Sequence, residues 1–138
     1  INFPQNQLRG IIIQSGTDEI DYYFKKIRVS KERIYNFVAD EINVGDKAYD
    51  SEGNLVAEVL DLTKTTNSYY EYSDIRGQKI KVIDPEFSDL DIILKVKAFN
   101  TLDREFYINN TVLKVGSRIW LQFKDYAIED AQIIEIID

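Results

Sequence analysis

Over most of this chain the apolar positions alternate with polar ones at a period of two. Between 91 and 99, Ile92, Leu94, Val96 and Ala98 fall on one side and Lys95 and Lys97 on the other, as in a half-buried strand. The segment 22–29, Tyr-Tyr-Phe-Lys-Lys-Ile-Arg-Val, is rich in aromatic and β-branched residues and predicts another strand. Residues 47–50 and 55–62 flank Ser51-Glu52-Gly53-Asn54 and predict a β-hairpin. A second hairpin is predicted over 106–112, around Asn109-Asn110, a pair that tolerates left-handed backbone angles. A third joins 118–123 to 127–137 through Lys124-Asp125-Tyr126, with Trp120 assigned to the core beside Ile119 and Leu121. One stretch breaks the alternation. Ile34, Phe37, Val38 and Ile42 stand at helical spacing behind Ser30, whose hydroxyl suits an N-cap, and predict one short helix over 31–41.

The pattern also repeats on a larger scale. Ile42-Asn43-Val44-Gly45-Asp46-Lys47-Ala48-Tyr49 is echoed by Leu113-Lys114-Val115-Gly116-Ser117-Arg118-Ile119-Trp120. Phe24 lies twenty residues before Val44, and Leu94 twenty-one before Val115. Each half closes on an apolar strand, 59–62 in the first and 133–136 in the second. Two similar halves predict a mainly β fold: a small, pseudo-two-fold-symmetric barrel, with the 31–41 helix over one opening. An open sandwich fits the same short strands and turns. Glycine suits a corner that needs unusual backbone angles, and a following carboxylate can accept from nearby amides, so Gly45, Asp46, Gly116 and Ser117 are assigned as structural corners. Residues 1–19 read as a lead-in with one short strand at 10–14. Residues 20–138 form a single domain, and a 63–90 insert separates its halves. Within the insert, 63–77 reads as a polar, aromatic excursion, 79–83 as a strand and Asp84-Pro85 as a breaker.

The composition narrows the function more by exclusion than by assignment. A net charge of −7 argues against a phosphate backbone or an anionic bilayer as partner, since both need clustered Lys and Arg. The 138 residues contain no Cys, His or Met. Disulfides, thiol nucleophiles and thiolate metal sites are thereby excluded, along with the commonest zinc ligand and the usual general base near neutral pH. The missing initiator Met predicts a processed product or an otherwise trimmed chain. No apolar run is long enough to span a bilayer, so any signal or anchor is expected in a removed part.

The strand, helix, Val-Gly-Asp corner and hairpin, repeated in degenerate form, resemble the cradle-loop family of small barrels. In that family two such units interleave into a six-stranded barrel. The second half departs from the pattern, with Ser117 in place of the acidic residue and a hairpin in place of the helix. The series Ile42-x-Val44-Gly45-Asp46-x-x-x-Asp50-x-x-Gly53-x-x-x-x-x-Val59, followed by a tyrosine-rich insert and Ile108-Asn109-x-x-x-Leu113-x-Val115-Gly116, is similar to a second pattern. It resembles a bacterial domain-of-unknown-function family in which one N-terminal transmembrane helix precedes an extracytoplasmic β-domain. This resemblance implies an extracytoplasmic, membrane-anchored, non-catalytic domain of a bacterial envelope or surface protein. Such a domain would act in assembly or partner binding, meeting the membrane only through the missing anchor. It implies no reaction, cofactor or catalytic residue.

Few residues offer chemistry. Asp46, Asp50 and Glu52, with Asn54, form the densest oxygen cluster and are the metal candidates. Their spacing fails the standard calcium loop, whose glycine comes sixth, and a hairpin turn accounts for it. A small-ligand or Ca²⁺ module using these acidic turns is the alternative function. A carboxylate-pair hydrolase is the third, although no motif selects a pair among the 24 acids. The acids Asp84, Glu86, Asp89 and Asp91 read as a solvated loop. Asn109-Asn110-Thr111 matches a glycosylation sequon that a tight turn also explains. Tyr69, Tyr70 and Tyr72 have two readings: a contact surface, joined by nearby Arg76, or a lining packed over the barrel mouth. The first makes them anchors for a protein partner or for self-association.

Overall fold

The computed structural model describes residues 22–72, 77–100, 106–108 and 111–137. The element order is β1 (Tyr23–Tyr35), α1 (Asn36–Ala39), β2 (Lys47–Tyr49), β3 (Leu55–Tyr72), β4 (Lys79–Asn100), β5 (Phe106–Ile108), β6 (Thr111–Val112), β7 (Arg118–Gln122) and β8 (Ala127–Ile136). The protein is mainly β. Six strands form an antiparallel sheet in the order β2-β3-β4-β1-β8-β7, and the small β5–β6 hairpin pairs onto the end of β4. The sheet curls strongly into a half-barrel. Its two outer strands, β2 and β7, come within 8 Å of each other Cα to Cα without forming a ladder.

The curl has a plain cause. Ile92, Leu94, Val96 and Ala98 of β4 point inward, as their alternation predicts, and meet Ile27 and Val29 of β1, Val59 of β3, and Ile128, Ala131 and Ile133 of β8. All of these are essentially inaccessible to water. A single sheet can hide such a surface only by wrapping around it.

The two Val-Gly corners adopt one geometry. Gly45 and Gly116 both have φ of 96°, a region that favours glycine. The Gly45 amide donates to the Val59 carbonyl at 2.8 Å, the Val59 amide to the Asp46 carbonyl at 2.9 Å, and the Asp46 amide to the Asn43 carbonyl at 3.1 Å. At the second corner the Gly116 amide donates to Ile133, the Ile133 amide to Ser117, and the Ser117 amide to Lys114, at 2.8, 2.8 and 3.1 Å. The hairpin at Asp50 also forms as expected. Its carboxylate accepts from the amides of Glu52 and Asn54 and from the Asn54 side chain, and Gly53 supplies a positive φ.

Three sequence expectations are corrected. Residues 31–35 are strand, and helix is confined to the single turn of α1. Ser30 caps nothing, because it pairs with Asp91 on one side and Gln132 on the other. Pairing with β4 extends β1 through Lys31↔Leu90, Ile34↔Ser88 and Tyr35↔Phe87, and a bulge between Lys31 and Ile34 carries Arg33 at φ 56°. That bulge shifts the alternation so that Ile34 still reaches the core, and the resulting spacing imitates a helix. Phe37 is exposed. The second correction is Trp120, which is 67% exposed: alternation between Ile119 and Leu121 puts it on the opposite face from them. The third is the 63–77 excursion. Residues 63–72 and 79–90 are strand, and Asp84-Pro85 opens a bulge inside β4 rather than ending it, since Thr66 faces Ser88 while Asn67 faces Asp84. The lead-in 1–19, the Asn109-Asn110 tip and Arg76 lie outside the described residues.

Candidate functional site

Past the bulge, β3 and β4 leave the half-barrel as a two-stranded arm. Within the sheet β4 is flanked by β3 and β1, and the pairing to β1 ends at Tyr35↔Phe87. From Asn67↔Asp84 to Tyr72↔Lys79 the two strands pair, among the described residues, only with each other. Because directly opposed residues share a face, the register sorts the arm's side chains. One face carries Ser68, Tyr70 and Tyr72 with Ile83, Lys81 and Lys79 opposite them. The other carries Asn67, Tyr69 and Glu71 with Asp84, Val82 and Ile80. The Lys79 ammonium sits 4.5 Å above the Tyr70 ring. Tyr69, Tyr70, Tyr72, Ile80 and Ile83 are all exposed, Tyr72 by 72%. The reading that the tyrosines pack over a barrel mouth is therefore set aside in favour of a surface position.

The root of the arm is more tightly built than its tip. Asn67 is the one buried polar side chain among the described residues. Its oxygen accepts from the Arg33 guanidinium at 3.3 Å, and its nitrogen donates to Asp89 Oδ1 at 2.8 Å. The same Asp89 oxygen accepts from the Arg33 amide at 3.0 Å, and Arg33 forms an ion pair with Asp84 at 2.8 Å. Asn36 donates to the Pro85 carbonyl at 2.7 Å and accepts from the Ser88 hydroxyl at 2.6 Å, so α1 holds the bulge from its other side. Aromatic rings stack outward from this knot. The Arg33 guanidinium lies 4.0 Å over Phe87, Phe87 is 4.4 Å from Tyr35, and Tyr35 is 5.4 Å from Phe37. Hydrogen bonds from three chain segments thus fix the direction in which the arm leaves the sheet.

A second feature lies at the first corner. An open cleft of about 280 Å³ is lined by Asp40, Glu41, Asn43, Asp46 and Lys47 from one side and by Phe123, Lys124, Asp125 and Tyr126 from the other. The Tyr126 hydroxyl donates to Asp46 Oδ2 at 2.6 Å, and that oxygen also accepts from the Asn43 amide at 3.0 Å. Burial, then the hydrogen bond to Asp46, then the negative charges of Asp46 and Glu41 push the Tyr126 hydroxyl well above its ordinary pKa. Its ring stacks on Phe123 at 4.7 Å. This pair clasps the Gly45–Asp46 corner to the β7–β8 hairpin.

The metal candidates are occupied by the fold itself. Asp50 closes its own turn, Asp46 holds the clasp, and Glu52 is exposed at the hairpin tip. Among the described residues no three carboxylates are grouped to hold a metal ion, and no helix there is long and apolar enough to cross a membrane. Sequence reasoning put Tyr69, Tyr70 and Tyr72 together, but in a loop and with their exposure open. It read Asp84, Asp89 and Asp91 as a solvated loop, whereas they lie in β4 and pair with Arg33, Asn67 and Arg28. It passed over Arg33, Asn67 and Phe87, which gather with Asp89. These four are scattered from 33 to 89 and share no motif; only the bulges of β1 and β4 bring them together. Comparison with protein families, with curated proteins and with solved structures gave no match.

Proposed function

We propose that this is a non-catalytic binding domain that makes its contacts through the arm. The observation that carries this reading is a rigidly rooted β-ribbon with exposed Tyr69, Tyr70, Tyr72, Ile80 and Ile83 and no packing partner among the described residues. Tyrosines give large contact area at little conformational cost, and isolated ribbons with bare apolar side chains on both faces are unstable unless anchored. The resemblance to anchored extracytoplasmic domains supports a place in a bacterial envelope or surface protein, acting in assembly or partner binding. The cradle-loop likeness and an internal duplication belong to the same proposal. They are supported by the sheet order, in which β1, β2 and β3 exchange with β4, β7 and β8, and by the matched corners. The pairing equates Leu94 with Val29 and not with Phe24, since Val59 faces Leu94 as Ile133 faces Val29, so the matched spacing of Phe24 and Leu94 before the two corners lends the duplication no support.

The test replaces Tyr69, Tyr70 and Tyr72 together by Ser. Light scattering reads self-association, and pull-down from bacterial envelope extracts reads partners. Loss of either in the variant, with the melting temperature kept, supports the arm as the contact surface. A variant that matches its parent in both removes the arm from consideration.

A further inference from the structure

The net charge of −7 is unevenly spread over the outer wall of the half-barrel. Pairing places Lys47 opposite Glu58, Glu58 opposite Lys95, and Lys95 opposite Lys26. One outward rung therefore crosses β2, β3, β4 and β1 with three lysines and a single carboxylate. The next outward rung, toward the start of β1, sets Lys97 against Phe24, and Tyr22 follows on the same face. Toward the arm the balance reverses: Arg28 is shared between Asp91 and Glu135, and Asp61 stands opposite Ile93. Like charges directly opposed disfavour a sheet, so Lys26 facing Lys95 is a cost that the core does not explain. Aromatic rings sit among the lysines. The Lys95 ammonium is 4.6 Å from the centre of the Phe24 ring, and that of Lys97 is 4.4 Å from Tyr22. Both rings are 51% exposed.

We infer that this wall docks on an anionic lipid bilayer, with Lys47, Lys95 and Lys97 at the lipid phosphates and Tyr22 and Phe24 in the headgroup layer. The inference is independent of the arm's role as a contact surface. Aromatic rings with a polar or charged rim favour the headgroup layer, and each lysine near an anionic surface adds attraction. Other anionic partners fit the wall less well. A peptide binds at a strand edge or in a groove. Along this stretch β4 is flanked by β3 and β1, so Lys95 and Lys97 offer side chains on a convex wall and no backbone edge. A nucleobase stacks on an open ring face, and here an ammonium group already sits over each ring. The acids elsewhere on the chain are repelled by the same lipid, so the charge asymmetry selects one orientation. The root of the arm lies about 40 Å away along β1, which leaves the arm free when the wall is docked.

Cosedimentation of the full chain with lipid vesicles tests this. Vesicles of phosphatidylcholine mixed with phosphatidylglycerol should carry the protein down at low salt and release it as the salt rises. Vesicles of phosphatidylcholine alone should leave it in solution. The double variant Lys95→Ala/Lys97→Ala should bind the anionic vesicles about thirty-fold more weakly, with its melting temperature kept. Lys47→Glu, on a strand remote from both rings, should also weaken binding and guards against a folding defect in the double variant. Lys79→Glu/Lys81→Glu, in the arm, should bind like the parent. A parent that stays in solution with both kinds of vesicle, equal binding to neutral and anionic lipid, or equal losses from wall and arm lysines overturns the inference. Capture of the chain by soluble polyglutamate without sedimentation on anionic vesicles overturns it too, and would make the wall a site for acidic chains.

Discussion

The same two strands, β3 and β4, behave in opposite ways at their two ends. In the half-barrel Val59, Leu90, Ile92, Leu94 and Val96 are buried, and the ribbon is flanked by β2 on one side and β1 on the other. In the arm the pairing continues in the same antiparallel sense, yet every residue from Tyr69 to Tyr72 is exposed. The local sequence does not mark the change, since both ends are rich in β-branched and aromatic residues. What differs is the availability of a third layer of contact. Hydrogen bonding alone holds a two-stranded ribbon weakly, so the arm persists because it continues a buried ladder and is nailed at its root by Arg33, Asn67 and Asp89. Stability belongs to the body, and freedom to change its surface belongs to the arm.

Substitutions can sharpen or break that contrast. The largest effect is expected at Leu94→Ala, which opens a cavity in the body and should cost about 3 kcal/mol in chemical denaturation, whereas Tyr70→Ser and Tyr72→Ser in the arm should stay within about 0.5 kcal/mol. Comparable losses from both ends would mean that the arm is part of the core. Next comes Gly45→Val, expected to cost roughly 1–3 kcal/mol, with Gly116→Val matching it. A Cβ at either position meets no atom within 4 Å, so thermal melts of these variants read backbone strain alone. Unequal losses would show that the two corners differ in what they support.

At the boundary between body and arm, Asn67→Ala should cost about 1–2 kcal/mol by stranding the Arg33–Asp89 network. Amide exchange should accelerate in the arm and stay unchanged around Leu94. If exchange rises everywhere, the root serves the body and not the arm. The smallest effect is expected at the clasp, where Tyr126→Phe should cost about 1 kcal/mol near neutral pH. The unfolded chain releases this proton near pH 10.0, whereas the folded chain holds it to higher pH. The contribution is therefore complete below that pH and is lost as the pH rises beyond it. In stability measurements across this range the parent should approach the Phe variant. Parallel curves would show that the hydroxyl is not held as described.

Some of this was written plainly in the chain. The alternation of Ile92, Leu94, Val96 and Ala98 is a local property of successive side chains, and it sets both the strand and its inward face. The two Val-Gly corners were equally legible, because a positive φ is a demand that glycine meets and most residues do not. The turn at Asp50 follows from a carboxylate placed two and four residues before the amides it accepts. The nearness of Tyr69, Tyr70 and Tyr72 is simply sequence adjacency.

Other features depended on partners distant in the chain. The helical spacing of Ile34, Phe37, Val38 and Ile42 was real, yet pairing with β4 offered residues 31–35 ladder hydrogen bonds, and a bulge at Arg33 turned Ile34 inward. Trp120 looked apolar and central, but strand alternation put it outside as soon as Ile119 and Leu121 faced the core. The root of the arm needed Arg33, Asn67 and Asp89 to meet through two bulges, and no spacing rule anticipates where bulges fall. The sequence by itself therefore determined the strands and the glycine corners, because these answer to forces acting within a few residues. Only the tertiary structure decided where the sheet ends and the arm begins, because that boundary is set by which strand edges find a neighbour.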